Sequence, residues 1–108
     1  MNTTNINHVQ LIGKISSQPL ITATNGSNKG TFSIATKESY INEKGELKSL
    51  TNWHKILVTG RNAMILQQFA VKGSQLALEG KLISRFFQSK DGKKQFVTEI
   101  HANDLVIL

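Results

Sequence analysis

The chain has 108 residues, 39% of them hydrophobic and 6% aromatic, with no cysteine and a net charge of +6. This length fits one domain with one modest core, and without cysteine the chain has no disulfide, thiolate metal site or thiol nucleophile. The excess of 13 Lys and Arg over 7 Asp and Glu makes a polyanion the first partner to consider.

Alternation of apolar and polar residues predicts a mainly β structure. In chain order, the expected strands cover roughly residues 6–15, 31–36, 53–58, 75–87 and 95–102, with an extension of the last to 108 left open. Turns are expected where residues tolerant of positive φ occur in pairs, at Asn25-Gly26, Lys44-Gly45 and Asp91-Gly92.

Helical spacing interrupts this pattern once, between Gly60 and Gly73. Ile65, Leu66 and Phe69 form one apolar stripe there, with Asn62 expected as the N-cap and Gly73 just beyond the end. Three strands, a short helix and two long strands is the order of an OB-fold. This is an all-β, five-stranded Greek-key barrel that commonly binds oligonucleotides. We therefore expect residues 1–108 to form a single OB-fold domain.

Catalytic motifs are mostly missing. The chain has no phosphate-binding glycine-rich loop, and its histidines (His8, His54 and His101) lack metal-ligand spacing. A metal nuclease would need carboxylates that converge on one ion, and the 7 acids are dispersed, although folding could gather some. We therefore expect no catalytic residue, no metal site and no cofactor, and an enzyme is the weaker hypothesis.

The fourth expected strand assigns two adjacent aromatics to opposite faces. One parity is apolar and predicts that Phe86 is buried; its other large members are Leu76, Leu78 and Leu82. The other parity exposes Phe87 beside Lys81 and Arg85, unless a β-bulge reverses it. An exposed ring between cations suits single-strand binding, because bases stack on the ring while cations meet the phosphates.

The third expected strand has the same organisation. Ile56 and Val58 form its apolar face, which places Trp53 and Lys55 outside, although tryptophan is often buried and parity alone leaves Trp53 open. His54 shares the apolar parity, so we expect a hydrogen-bonded histidine in the core or at a subunit contact.

Tyr40 is expected where the second strand enters a polar loop from Ile41 to Leu50. A tyrosine there is either an anchor of the loop or a stacking platform, and the residues themselves do not decide between the two.

From about Asn7 to Leu108, the chain resembles the bacterial single-stranded DNA-binding protein family. The order and spacing of five short phrases carry the resemblance: Asn7-His8-Val9-Gln10-Leu11-Ile12-Gly13, Phe32-Ser33-Ile34-Ala35-Thr36, Thr51-Asn52-Trp53-His54, Lys72-Gly73-Ser74-Gln75 and Leu78-Glu79-Gly80-Lys81-Leu82. The resemblance implies an OB-fold subunit, usually in a homotetramer built as a dimer of dimers. It would wrap single-stranded DNA with little sequence preference and protect it during replication, recombination or repair.

Carried over position by position, the resemblance implies that bases stack on Tyr40, Trp53 and Phe87. Thr59 occupies a position that is often aromatic, so one platform is expected to be missing. The implied phosphate-facing cations are Lys55, Arg61, Lys72, Lys81 and Arg85. His54 matches a histidine associated with subunit contacts.

The family's replication proteins usually continue into a flexible linker and an acidic tip that recruits other enzymes. This sequence ends at Leu108 without either, so we expect a naturally short form or a shortened chain. Replication and repair proteins would be partners only if a tail had been removed. We expect a bacterial cytoplasmic, nucleoid-associated protein without membrane contact. A relative of primosomal replication protein N, an RNA-binding OB module and an assembly subunit are the alternatives.

Overall fold

The computed structural model describes residues 5–24 and 26–108. These form six strands and one helix: β1 (Val9–Ile15), β2 (Leu20–Thr24), β3 (Ser27–Ile41), β4 (Leu47–Thr59), α1 (Arg61–Phe69), β5 (Gln75–Gln88) and β6 (Lys94–Ile107). Five strands form a barrel in the order β1–β5–β6–β4–β3, which the pairing of β1 with β3 closes. The predicted OB-fold, with its helix between the third and fourth barrel strands, is confirmed.

The core forms where the alternating strands turn their apolar side chains into the barrel. Phe32 lies opposite Ile56 across the β3–β4 ladder, and both are buried, as the parity of each strand predicts. Ile34 and Val58 extend this cluster and are fully buried. The helix packs against one end of the barrel. Its side chains Ala63 and Leu66 are buried and belong to the core.

Two strand pairs extend beyond the barrel as hairpin arms. The β3–β4 arm runs in continuous register to Ile41 opposite Leu47, so the expected loop from Ile41 to Leu50 is wrong. Its turn closes on Asn42, whose Oδ1 accepts hydrogen bonds from the backbone N–H groups of Lys44 and Glu46 at 3.0 and 2.9 Å. Both faces of this arm are exposed to solvent. Its sequence therefore lacks the alternation of apolar and polar residues that marks a half-buried strand.

The β5–β6 arm corrects the prediction for Phe86. Its side chain is 70% exposed, and it lies opposite Phe96, which is 61% exposed. Leu76 and Leu78, on the same parity, are buried as predicted. Parity therefore holds as far as Leu78, but Leu82, also predicted on the buried face, is 46% exposed. From there the arm leaves the barrel, and no core remains to cover Phe86.

The helix differs from its prediction at both ends. Its N-cap is Gly60, which has no side chain to cap the helix. Asn62, the predicted N-cap, lies two residues later inside the helix, and its Nδ2 donates to the Asn103 carbonyl at 2.8 Å. Phe69 is 62% exposed, so the buried stripe consists of Ala63, Leu66 and Ala70. Gly73 lies in the following turn and donates its N–H to the Ile15 carbonyl at 2.9 Å.

Strand β2 was not predicted from the sequence. It pairs with β3 from Leu20 opposite Thr31 to Thr24 opposite Ser27, and it forms an edge outside the closed barrel. Asn25, the first residue of the expected Asn25-Gly26 turn, lies outside the described residues, and so do residues 1–4. No helix among the described residues is long and apolar enough to cross a bilayer.

Candidate nucleic-acid interface

Most of the predicted binding residues share one surface, the face of β3, β4, β6 and β5 that points away from the core. We call it the outer face. Opposed residues in a ladder point to the same side. On β4, Trp53 and Leu57 have the same parity, and Trp53 lies opposite Ala35 on β3. Leu57 pairs with His101 on β6, and His101 lies opposite Lys81 on β5, so these side chains point to one side of the sheet. The predicted residues on the outer face are Trp53, Lys55, Lys81, Arg85 and Phe87.

Two of the three predicted stacking aromatics lie on the outer face. Trp53 is 67% exposed and Phe87 41% exposed. The side chain of Trp53, whose burial the sequence left open, therefore faces solvent. Tyr40 is 50% exposed but pairs with Lys48, on the opposite parity of the β3–β4 arm. Its side chain therefore leaves the arm on the side away from Trp53, and a ligand touching both must pass around the arm.

Lys55 and Lys72 border the same loop between β1 and β2. Lys55 lines a shallow groove together with Gln18 and Ser33. The backbone N–H of Lys72 donates to Gln18 Oε1 at 3.3 Å, which holds the turn after the helix against that loop. Both lysines are exposed, so the groove extends the positive charge of the outer face around the side of the barrel.

Arg61 is separated from this group. It begins α1 and lines a different hollow, beside the turn between β2 and β3, with Asn28 and Met64. The Gly60 N–H donates to the Asn28 carbonyl at 3.0 Å and fixes this end of the helix there. The structure thus places Arg61 by the helix N-terminus and not on the outer face.

Arg85 already has a protein partner. Its Nε lies 2.9 Å from Oε1 of Glu99, whose side chain is only 5% exposed, whereas that of Arg85 is about half exposed. A carboxylate so far removed from water needs a compensating charge, because an unpaired buried charge is costly. Arg85 therefore stabilises the arm first, and only its remaining guanidinium N–H groups are free to meet a phosphate. This role of Glu99 was not predicted from the sequence.

His54 is half-buried on the inner parity of β4, next to the core residue Ile56. Its Nε2 lies 2.9 Å from Thr36 Oγ1 in a hydrogen bond. The expectation of a hydrogen-bonded histidine on the apolar side of the strand agrees with this geometry. Its predicted role in a subunit contact stays a prediction.

The tip of the β5–β6 arm is basic, with Lys90, Lys93 and Lys94 around one carboxylate, Asp91. The hydrogen bond from the Ser89 hydroxyl is the larger cause, and the one from the Lys93 backbone N–H is the smaller cause, of a pKa of Asp91 below its ordinary value of 3.8. Asp91 is therefore ionised at neutral pH, and its carboxylate accepts hydrogen bonds that hold the turn together. Among residues 5–24 and 26–108, no three His, Asp or Glu side chains are grouped to hold a metal ion.

Comparison with known proteins supplies the family. The chain matches the family described as Single-strand binding protein family over residues 6–108. It is 35% identical over 105 residues to Single-stranded DNA-binding protein 1 of Chlorobaculum tepidum, covering 95% of this chain and 65% of that protein. It is also 35% identical over 105 residues to Single-stranded DNA-binding protein 1 of Xylella fastidiosa, covering 95% of this chain and 77% of that protein.

The solved structure of a Plasmodium falciparum SSB complex with ssDNA is similar over the whole chain. The TM-score is 0.89 at 32% sequence identity, and the match covers 100% of this chain and 99% of that chain. That protein is bound to single-stranded DNA on the same fold.

Proposed function

The chain belongs to the single-strand binding protein family, and from that premise we propose that it binds single-stranded DNA with little sequence preference. We propose further that it thereby protects single strands during replication, recombination or repair. The observation that carries the proposal is Trp53, 67% exposed on the same face as Phe87 and Lys81. A large exposed ring among cations has little structural purpose, but it suits a ligand with flat bases and a charged backbone.

Stacking accounts for the lack of sequence preference. Every base has a π-face, so a ring such as Trp53 or Phe87 accepts all four bases, at about 1–3 kcal/mol per stacked base. The lysines Lys55, Lys72 and Lys81 meet phosphates, which carry no sequence information. A strand that leaves Trp53 reaches Tyr40 by passing around the β3–β4 arm.

We propose that the chain acts by binding alone and catalyses nothing. The buried carboxylate of Glu99 is paired with Arg85, and Asp91 is hydrogen-bonded within its turn. Glu79 and Asp104 lie opposite each other across β5 and β6, but no third His, Asp or Glu side chain of the described residues is grouped with them. A metal nuclease requires carboxylates that converge on one ion to activate water. Among the alternatives, an RNA-binding module would prefer an RNA oligonucleotide to the matched DNA, because it would read 2′-hydroxyl groups.

Binding to oligo(dT) should weaken steeply with salt. Each phosphate neutralised on a single strand releases counterions and contributes roughly 0.7 to the slope of log K against log salt. Contacts from Lys55, Lys72, Lys81 and the free part of Arg85 predict a slope of about 2 to 3 per subunit. Fluorescence anisotropy of a labelled oligo(dT) at several salt concentrations measures it, with Lys55→Gln expected to reduce the slope. A slope near zero would contradict the phosphate contacts.

We also propose that the chain forms a homotetramer, as a dimer of dimers, with His54 at a subunit contact. On its second edge β1 pairs with β3 only at Lys14 and Ile15, so the rest of that edge has no partner in the described part of the chain. Ile12, Ala77 and Val106 lie side by side across β1, β5 and β6, and Ile12 and Val106 are each 59% exposed. An open strand edge beside an apolar row favours association with a second copy.

Light scattering tests the tetramer. Four chains of 12.0 kDa predict a particle of about 48 kDa, and a mass of one chain at micromolar concentration would contradict it. The two relatives named above are bacterial proteins, and we propose on that basis that this protein acts in the bacterial cytoplasm, at the nucleoid.

A further inference from the structure

The β5–β6 arm carries a second aromatic surface on the side away from Phe87. We call it the inner arm face: Ser84, Phe86, Gln88, Lys94, Phe96 and Thr98, which are paired across the hairpin. The rings of Phe86 and Phe96 lie 5.1 Å apart between centroids at an interplanar angle of 58°. They are 70% and 61% exposed, so their contact with each other leaves most of their surface in water.

Nothing in the described part of the chain covers this face. The pairing of β1 with β5 stops at Val9 opposite Gly80. The Asn7 side chain then satisfies both backbone groups of Leu82, each at 2.9 Å. Beyond Leu82 no described strand pairs with the second edge of β5, so the edge beside Phe86 is open as well. Two large exposed aromatics on one small surface are a feature of binding sites.

The charges around the inner arm face indicate what it binds. None of its six residues is acidic, and Lys94 lies on it opposite Gln88. Lys90 and Lys93 follow at the tip of the arm. The nearest carboxylate on β6, that of Glu99, is on the outer parity and paired with Arg85. A partner with flat apolar surfaces and negative charge fits these features, and a second copy of this chain, with a charge of +6, fits them less well.

We propose that the inner arm face is a second base-stacking platform for single-stranded DNA. This rests on the proposed function and extends it. Phe87 and Phe86 are neighbours on β5 with side chains on opposite faces, so a strand stacked on Phe87 reaches Phe86 by crossing the open edge of β5. Bases stack on Phe86 and Phe96, and Lys94 meets the phosphate beside them. The arm is then held between two parts of one strand.

A tryptophan introduced on the inner arm face tests the proposal. In the double variant Trp53→Phe, Phe96→Trp, the introduced tryptophan is the only one, and we expect oligo(dT) to quench its emission. In the otherwise native chain, Phe86→Ala should lower the number of nucleotides bound per subunit at saturation and raise Kd by about 5-fold, the lower end of one lost stack. The matched control is Phe69→Ala, which removes an aromatic 62% exposed on the helix and should change neither quantity.

Three results would overturn the platform. Unchanged emission from the introduced tryptophan, while native Trp53 is quenched, would refute it and leave the proposed function standing. A lower mass of Phe86→Ala in light scattering without DNA would assign the surface to a second copy of the chain. Absence of oligo(dT) binding by the native protein would refute the platform and the proposed function together. Circular dichroism identical to that of the native protein shows that each variant is folded.

Discussion

Trp53→Ala should raise the Kd for oligo(dT) by roughly 5- to 150-fold and leave the fold intact. One lost base stack corresponds to about 1–3 kcal/mol, and 1.4 kcal/mol is about tenfold in Kd. The effect on stability is expected to be small because the side chain is 67% exposed and points away from the core, opposite Ala35. Among the exposed aromatics of the outer face, Trp53 presents the larger ring and the more open surface.

Phe69→Ala is the matched control for Trp53→Ala. It also removes an exposed aromatic, but from α1, at the end of the barrel and away from the outer face. Anisotropy titrations of both variants, together with their urea unfolding curves, separate binding from stability. If Trp53→Ala unfolds the protein, or if the two variants weaken binding equally, the assignment of Trp53 to a stacking surface is wrong.

Gly80→Ala should destabilise the protein by about 3 kcal/mol, the upper part of the range for overpacking. At this point Glu79 pairs with Asp104 but Gly80 pairs with Ala102, so Asn103 is an extra residue in β6 and the strands are irregular. An added Cβ would collide with the His101 carbonyl oxygen and lie 2.8 Å from the Ala102 Cα. Backbone atoms cannot rotate away as a flexible side chain can, so the two strands themselves must separate.

Gly45→Ala serves for comparison, because its added Cβ meets nothing within 4 Å. Its φ of 78° still carries a cost for an L side chain, about 1–2 kcal/mol. Urea unfolding should therefore show a larger loss of stability for Gly80→Ala than for Gly45→Ala. Equal losses would mean that the β5–β6 ladder relaxes around the bulge.

The barrel could be predicted from the sequence because each of its strands has one dry face. Phe32 and Ile34 alternate with polar neighbours, and both are buried. On β4, parity alone left Trp53 open, and its side chain is 67% exposed on the face opposite Ile56 and Val58. Alternation is informative only when one face is covered, and that condition holds within the barrel.

The arms could not be predicted in this way because both of their faces meet water. Phe86 shares the parity of Leu78 but lies beyond the core, so parity alone gave the wrong result. A further signal was present, since the turn at Asp91 places Phe86 and Phe96 at equal distances on either side of it. Hairpin register would therefore have paired the two rings, and the diagonal contact of Glu99 with Arg85 follows from the same register.

The measurement that tests the central claim most directly is the emission of Trp53, the only tryptophan, during titration with oligo(dT). We expect strong quenching that saturates at a fixed number of nucleotides per subunit, that weakens at higher salt and that duplex DNA does not reproduce. Binding detected by anisotropy without any change in Trp53 emission would place the DNA elsewhere and contradict a single-strand stack on the outer face.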